Sequence, residues 1–147
     1  MPAVKPIPDG YHSVQPYLII KNAAAAIDFY KKALSAKERF RMERDGHIGH
    51  AEIELGDSCI MLADEHPEIG AHSPAHYGGS PVSLMIYVPD CDSVYKQAVA
   101  AGAKSEREPE DQFYGDRMAT VLDPFGYRWH IATHIKDVSP EEMKRHA

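Results

Sequence analysis

The spacing of apolar residues changes period along the opening third of the chain, and each change marks an element. From Ser13 to Ile20 β-branched and aromatic residues cluster, which predicts a strand. Ala23, Ile27, Tyr30 and Leu34 then fall at i, i+4, i+7 and i+11, one stripe of an amphipathic helix. Asn22, just before it, suits an N-cap, because its side-chain oxygen can accept from an early helical N–H. Strand character returns over Lys37–Arg44 and Ile48–Leu55, joined at Asp45-Gly46, a strong hairpin signal. Gly56-Asp57 turns the chain into a fourth strand, Cys59 to Ala63.

The same order of patterns recurs about 68 residues later. Val14-Gln-Pro-Tyr-Leu-Ile-Ile20 is echoed by Val82-Ser-Leu-Met-Ile-Tyr-Val88, and Ser35-Ala-Lys37 by Gly102-Ala-Lys104. Ile60-Met-Leu-Ala63 is echoed by Trp129-His-Ile-Ala132. The second helix is capped by Asp90 or Asp92, carries Val94, Ala98 and Ala101 on one stripe, and ends at Gly102. A strand near Lys104, a polar loop from Glu106 to Gly115 and a strand over Arg117–Leu122 follow. Asp123-Pro-Phe-Gly126 is a turn before the last strand, Arg128 to His134. Ser139-Pro-Glu-Glu142 reads as a capping box with Pro at the first helical position, so a short helix ends the sequence. The expected organisation is one domain: an extended arm over 1–12, a first unit over 13–65 and a linker rich in Pro, Gly, His and Ser over 66–80. A second unit over 81–135 and a tail over 136–147 complete it.

Alternation within strands assigns faces. Val82, Leu84, Ile86 and Val88 are uniformly apolar and should pack under the helices, while Ser83, Met85 and Tyr87 face the other way. Ala51, Ile53 and Leu55 alternate with His50, Glu52 and Glu54; Trp129, Ile131 and Thr133 alternate with His130, Ala132 and His134. The mixed set lines solvent or a cleft.

Composition narrows the classes. A chain of 147 residues can bury a real core, whereas each half alone would be marginal, which favours a shared core or a homodimer. The net charge of −6, with no Lys/Arg run, speaks against nucleic acid. No apolar stretch has membrane-spanning length, and the amino terminus lacks the apolar core of a signal peptide, so the expected location is cytoplasmic. Cys59 and Cys91 have neither disulfide-framework nor CxxC spacing.

Two tandem βαβββ units, with Ala-Ile-Asp-Phe-Tyr-Lys-Lys-Ala-Leu34 in the first helix and Asp123-Pro-Phe-Gly126 before the last strand, resemble the vicinal oxygen chelate superfamily. That superfamily includes glyoxalase I, extradiol dioxygenases, and bleomycin- and fosfomycin-resistance proteins. Asp111-Gln-Phe-Tyr-Gly-Asp-Arg117 resembles a glyoxalase/bleomycin-resistance-like branch. The resemblance spans about residues 12 to 134 and implies an α+β fold. Its expected form is a cupped eight-stranded sheet with helices on the outer face and a cavity inside, often completed by a dimer partner. It also implies a divalent metal at positions that match Gln15, Met61, Ser83 and His130. An amide, a thioether, a hydroxyl and one imidazole are a poor set for a hard divalent ion.

The candidate cavity residues are therefore Gln15, Tyr17, His50, Glu52, Met61, Ser83, Met85, Tyr87, Tyr114, Arg117 and His130. His130 is a ligand contact or proton donor, or else a hydrogen-bonded wall residue. His50 with Glu52 forms an acid–base pair or partial metal site, or else a solvated or dimer-facing strand edge. Arg117 holds an anion as a fork donor, or pairs structurally with an Asp. Met61 and Met85 suit an apolar ligand or fill the core. His66, His72 and His76 read as surface histidines. The expected function is metal-free binding of a small, partly apolar, aromatic or heterocyclic molecule, with the acidic residues of the mixed face favouring a cation. The alternative is a metal-dependent lyase, isomerase or dioxygenase, in which a divalent metal would be the cofactor.

Overall fold

In the computed structural model, which describes residues 3–147, the strands form two four-stranded sheets, one per sequence repeat. The first repeat runs β1 (Tyr17–Ile20), α1 (Ala23–Leu34), β2 (Lys37–Arg44), β3 (His47–Leu55) and β4 (Ser58–Asp64). After a 3-10 turn at Pro67–Ile69 and a short helix α2 (Pro74–Tyr77), the second repeat begins. It runs β5 (Leu84–Tyr87), α3 (Cys91–Ala101), β6 (Lys104–Asp111), β7 (Asp116–Leu122) and β8 (Arg128–His134), and α4 (Pro140–Lys144) follows. Sheet orders are β1-β4-β3-β2 and β5-β8-β7-β6, with the first and last strand of each repeat parallel. The α+β fold of two tandem βαβββ units is thus observed, but one continuous eight-stranded sheet is not. β1 and β5 each carry a ladder on one side only, so hydrogen bonding ends at these edges.

By compactness the chain divides into one unit that runs to Lys31 and includes Ser35–Ser73, and a second comprising Lys32–Leu34 and Pro74–Ala147. Each helix start is fastened to the closing strand of its own repeat. Asn22 and Asp90 cap the helices, accepting from Ala25 N at 3.1 Å and Ser93 N at 3.2 Å. Asp64 at the end of β4 accepts from the first helical amide, Ala23 N, at 2.8 Å, and from Ile48 N at 2.7 Å. In the second repeat Thr133 of β8 accepts from Cys91 N at 2.8 Å and donates to the Val88 carbonyl at 2.8 Å. These side chains satisfy amides that a helix leaves without an internal partner.

The apolar face of each sheet is core. Leu18, Ile20, Ala51, Ile53 and Leu62 are buried in the first, and Ala23, Ile27 and Tyr30 of the α1 stripe are buried as well. Ala119, Val121, Trp129 and Ile131 are buried in the second, where α3 lies against β6, β7 and β8. Cys59 and Cys91 are free thiols, both buried. Asp45 and Gly46 both have positive φ, the conformation that lets a two-residue turn follow the strand twist. Ser139 accepts from Glu142 N at 3.2 Å, so the predicted cap of the final helix is in place.

Three strands depart from the sequence reading by more than one residue. β1 begins at Tyr17 rather than Ser13, because Pro16 has no N–H to extend the ladder. β5 begins at Leu84, and Val82 is 65% exposed rather than packed under a helix. Its partner strand has already turned away there, with the Tyr127 carbonyl accepting from Asp123 N at 2.8 Å. The expected polar loop from Glu106 is instead strand as far as Asp111. Lys-Ser-Glu-Arg-Glu-Pro-Glu-Asp111 reads as loop because β6 is an edge strand, where charges and proline discourage pairing with other chains.

Candidate functional site

Each sheet carries candidate chemistry on the face opposite its apolar one. In the first unit Tyr17, Met61, Glu52 and Phe40 are register partners across β1, β4, β3 and β2. The Tyr17 hydroxyl lies 2.8 Å from His50 Nδ1, and His50 Nε2 lies 2.8 Å from Glu52 Oε2. The other Glu52 oxygen accepts from the Tyr11 hydroxyl, brought in by the N-terminal arm. Arg39 holds that arm, donating to the Gly10 carbonyl at 3.1 Å, with its guanidinium 5.0 Å from the Tyr11 ring centre. Glu52 is only 7% exposed. Burial alone would push its carboxyl up, but hydrogen bonds from Tyr11 and His50 outweigh this and hold it below the usual range. The Tyr17 phenol is pushed up by burial and by the Glu52 charge, so it keeps its proton at neutral pH. An ionised carboxylate only accepts, so in a neutral imidazole Nε2 carries the proton and Nδ1 accepts from Tyr17. The result is a phenol–imidazole–carboxylate chain whose phenol is half exposed.

In the second unit the corresponding row is Met85, His130, Thr120 and Arg107. His130 Nδ1 lies 3.0 Å from the Thr120 hydroxyl and Nε2 lies 3.1 Å from that of Ser83. Burial, then the charges of Arg128 and Arg107, hold its pKa below the usual imidazole value, so it is neutral at pH 7. An open cavity of about 360 Å³ lies here, lined by Glu106, Arg107, Met118, Thr120, Arg128 and His130. Arg128 is held by Glu106, through Nε to Oε1 and Nη2 to Oε2, the latter at 3.0 Å. Further along the face the Tyr87 hydroxyl donates to Asp116 at 2.7 Å. The other Asp116 oxygen lies 2.8 Å from His134 Nδ1, and His134 Nε2 lies 2.7 Å from Asp137. Asp137 and Asp116 hold the His134 pKa above its usual value.

The sequence candidates divide accordingly. Tyr17, His50, Glu52 and Met61 share the first face; Ser83, Met85, Tyr87 and His130 share the second. Gln15 precedes β1, its side-chain oxygen accepting from His12 N at 2.5 Å. Tyr114 contacts the second face through its hydroxyl, 3.7 Å from Met118 Sδ. Arg117 lies on the helix side of β7, its fork taken by Asp92 at 2.6 and 3.1 Å and by Asp111 at 2.9 Å. The sequence reading missed Tyr11, Arg107, Thr120 and Arg128. Arg107 was legible from the repeat, since it occupies the slot of Phe40, but only with β6 recognised as a strand.

The positions that the resemblance assigns to a metal do not fit one. The hydroxyl of Ser83 is engaged with His130, whose second nitrogen meets Thr120; Gln15 is bonded to His12; and Met61 is a thioether. They offer no charged oxygen and only one imidazole, a poor donor set for a divalent ion. Among the described residues no group of three His, Cys, Asp or Glu side chains is arranged to hold a metal ion, and no buried side-chain nitrogen or oxygen lacks a hydrogen-bond partner.

Comparison with known proteins agrees with this architecture. An uncharacterized protein of Mycobacterium bovis is 37% identical over 136 residues, covering 90% of both chains. One of Mycobacterium tuberculosis has the same identity and covers 90% of this chain and 80% of its own. Among solved structures, TioX from Micromonospora is 20% identical with a TM-score of 0.67, covering 87% of this chain and 100% of its own. An Arabidopsis thaliana gene product is 26% identical with a TM-score of 0.68, covering 83% and 98%. A glyoxalase-related enzyme from Fulvimarina pelagi is 18% identical with a TM-score of 0.66, covering 83% and 87%. Among the described residues no helix is long and apolar enough to cross a membrane. The sequence profile of one superfamily matches residues 11–131, nearly the whole of both repeats, and the chain therefore belongs to the glyoxalase/bleomycin resistance protein/dioxygenase superfamily.

Proposed function

We propose that the protein binds a small, partly apolar molecule, aromatic or heterocyclic, without a catalytic metal. The observation that carries this reading is the 360 Å³ cavity on the second face. Its size is that of a small-ligand pocket, and it combines a thioether with a neutral imidazole and a hydroxyl. Met85 and Tyr87, 48% and 60% exposed on the same face, extend the apolar surface a ring would need. Thermal-shift screening of aromatic and heterocyclic compounds tests it, because a ligand of the folded state raises the melting temperature. Hits should be lost in His130→Ala. About one zinc, nickel or iron per chain in untagged protein, lost in the same variant, together with lyase activity, would overturn the reading.

The Tyr17–His50–Glu52 chain favours a second reading, in which the first face performs acid–base chemistry. Turnover of a bound compound that disappears in both Tyr17→Phe and His50→Gln, with binding retained, would select it. We also propose a homodimer in the cytoplasm, supported by the exposed Phe40, Met42, Met85 and Tyr87. Light scattering on a sizing column should give twice the chain mass of 16.4 kDa.

A further inference from the structure

We infer that the cavity of the second unit recognises an organic anion, an aryl carboxylate, with Arg107 as the fork that grips it. This rests on the cavity being the ligand site. The sequence expectation was a cation, from the acidic residues of the mixed strands, but the structure distributes charge otherwise. Glu52 and Glu54 lie in the first unit, whereas the cavity lining holds two arginines and one glutamate. That glutamate, Glu106, is already committed to Arg128. The side chain of Arg107 has no hydrogen-bond or ion-pair partner among the described residues. With His130 neutral, one positive charge remains unmatched in the lining.

The backbone is built to put that charge there. The β6–β7 ladder pairs Ser105 with Val121, Arg107 with Thr120 and Glu110 with Met118, so the register slips on both sides of Arg107. Such bulges re-aim a side chain, and these set Arg107 in line with Thr120 and His130. Glu110 lies one row further on and does not line the cavity. A guanidinium binds a carboxylate through two parallel N–H donors, a geometry an ammonium cannot reproduce. The Thr120 and Ser83 hydroxyls flank one neutral imidazole, which has a single N–H. One hydroxyl must therefore donate to the ring while the other accepts, so the polar side of the pocket can adapt to an oxyanion. Met118 in the lining and Met85, which is level with His130 in the ladder, offer polarizable surface for the attached ring. A bare inorganic anion would leave that surface unused.

The test is a backbone-amide NMR titration of the intact protein with benzoate, benzamide and inorganic phosphate. Shifts should centre on Arg107, Met118, Thr120 and His130, with benzoate bound about tenfold more tightly than benzamide, a difference of about 1.4 kcal/mol. Phosphate should not compete at matched ionic strength. Arg107→Gln, a change at an exposed side chain, should keep the melting temperature while abolishing the preference for benzoate over benzamide. Arg107→Lys should restore only part of it. A preference that survives Arg107→Gln, equal binding of benzoate and benzamide, or phosphate competing as well as benzoate would each overturn the inference. If neither aromatic probe perturbs the cavity, the small-molecule reading falls with it; if benzamide binds and benzoate is no better, only the anion assignment falls.

Discussion

The two repeats share a backbone and differ in what they display. Tyr17, Met61, Glu52 and Phe40 in the first occupy the slots of Met85, His130, Thr120 and Arg107 in the second. Even the irregularity is shared: β2 slips between Glu38 and Phe40 where β6 slips between Ser105 and Arg107. On the apolar faces the exchanges are conservative, Ile53 for Val121 and Leu62 for Ile131, because those positions must fill a core. On the mixed faces the chemistry is inverted. The first is organised around a buried carboxylate satisfied by its neighbours, the second around a neutral imidazole beside an arginine whose side chain has no partner among the described residues. Burial therefore constrains one side of each sheet strictly and leaves the other free to diverge toward function.

The sharpest way to break the comparison is at the last turn of each repeat, where the two differ in construction. Buried Asp123 accepts from Phe125 N at 2.8 Å, Tyr127 N at 3.0 Å and Trp129 Nε1 at 2.9 Å, whereas exposed Asp57 in the Gly56-Asp57 turn accepts from the Ser58 hydroxyl at 3.2 Å. Asp123→Ala should destabilise the protein by about 3 kcal/mol, since it strands several donors. Asp57→Ala should change stability by less than about 0.5 kcal/mol. Urea denaturation of both variants checks the contrast.

A smaller difference is expected at the helix fastenings. Asp64 holds two amides as a charged acceptor, while Thr133 holds one as a neutral hydroxyl. Asp64→Ala should cost about 2 kcal/mol and Thr133→Ala about 1 kcal/mol, read from the same denaturation curves. Equal costs would mean the charge contributes nothing.

Much of this scaffold was legible in the sequence. Asn22, Asp45-Gly46 and Ser139 each announce a local hydrogen-bond or φ requirement that few residues meet, and the structure uses all three as read. His50 and Glu52 were also visible, because a separation of two on a strand means one face. What stayed hidden depended on distance along the chain or on an edge. Tyr11 reaches Glu52 across 41 residues from an arm with no periodicity, and Arg107 sits in an edge strand with the composition of a loop.

Two further measurements sharpen the electrostatic side of the comparison. His134 is flanked by Asp137 and Asp116, and its pKa is raised above the ordinary 6.5. Its stabilising effect is therefore complete below that value and is lost as pH rises through the higher folded-state pKa. The melting-temperature gap between wild type and His134→Gln should be wider at about pH 5.5 than at about pH 8.5. The smallest effect is at His130, whose NMR titration midpoint should lie below 6.5 and move upward in Arg107→Gln. The upward move should be partial, because burial remains.

Each unit contains a single cysteine, Cys59 in the first and Cys91 in the second, and both thiols are withdrawn from solvent. Cys91 donates to the Ile131 carbonyl at 3.2 Å, and burial pushes its thiol pKa up, so the folded form resists alkylation. A thiol reagent can modify either residue only when its surroundings open. Pulse labelling followed by peptide mass spectrometry would consequently time the opening of the two halves separately, without any engineered probe. Matching rates at Cys59 and Cys91 would identify one cooperative breathing unit, and differing rates would rank the halves by local stability.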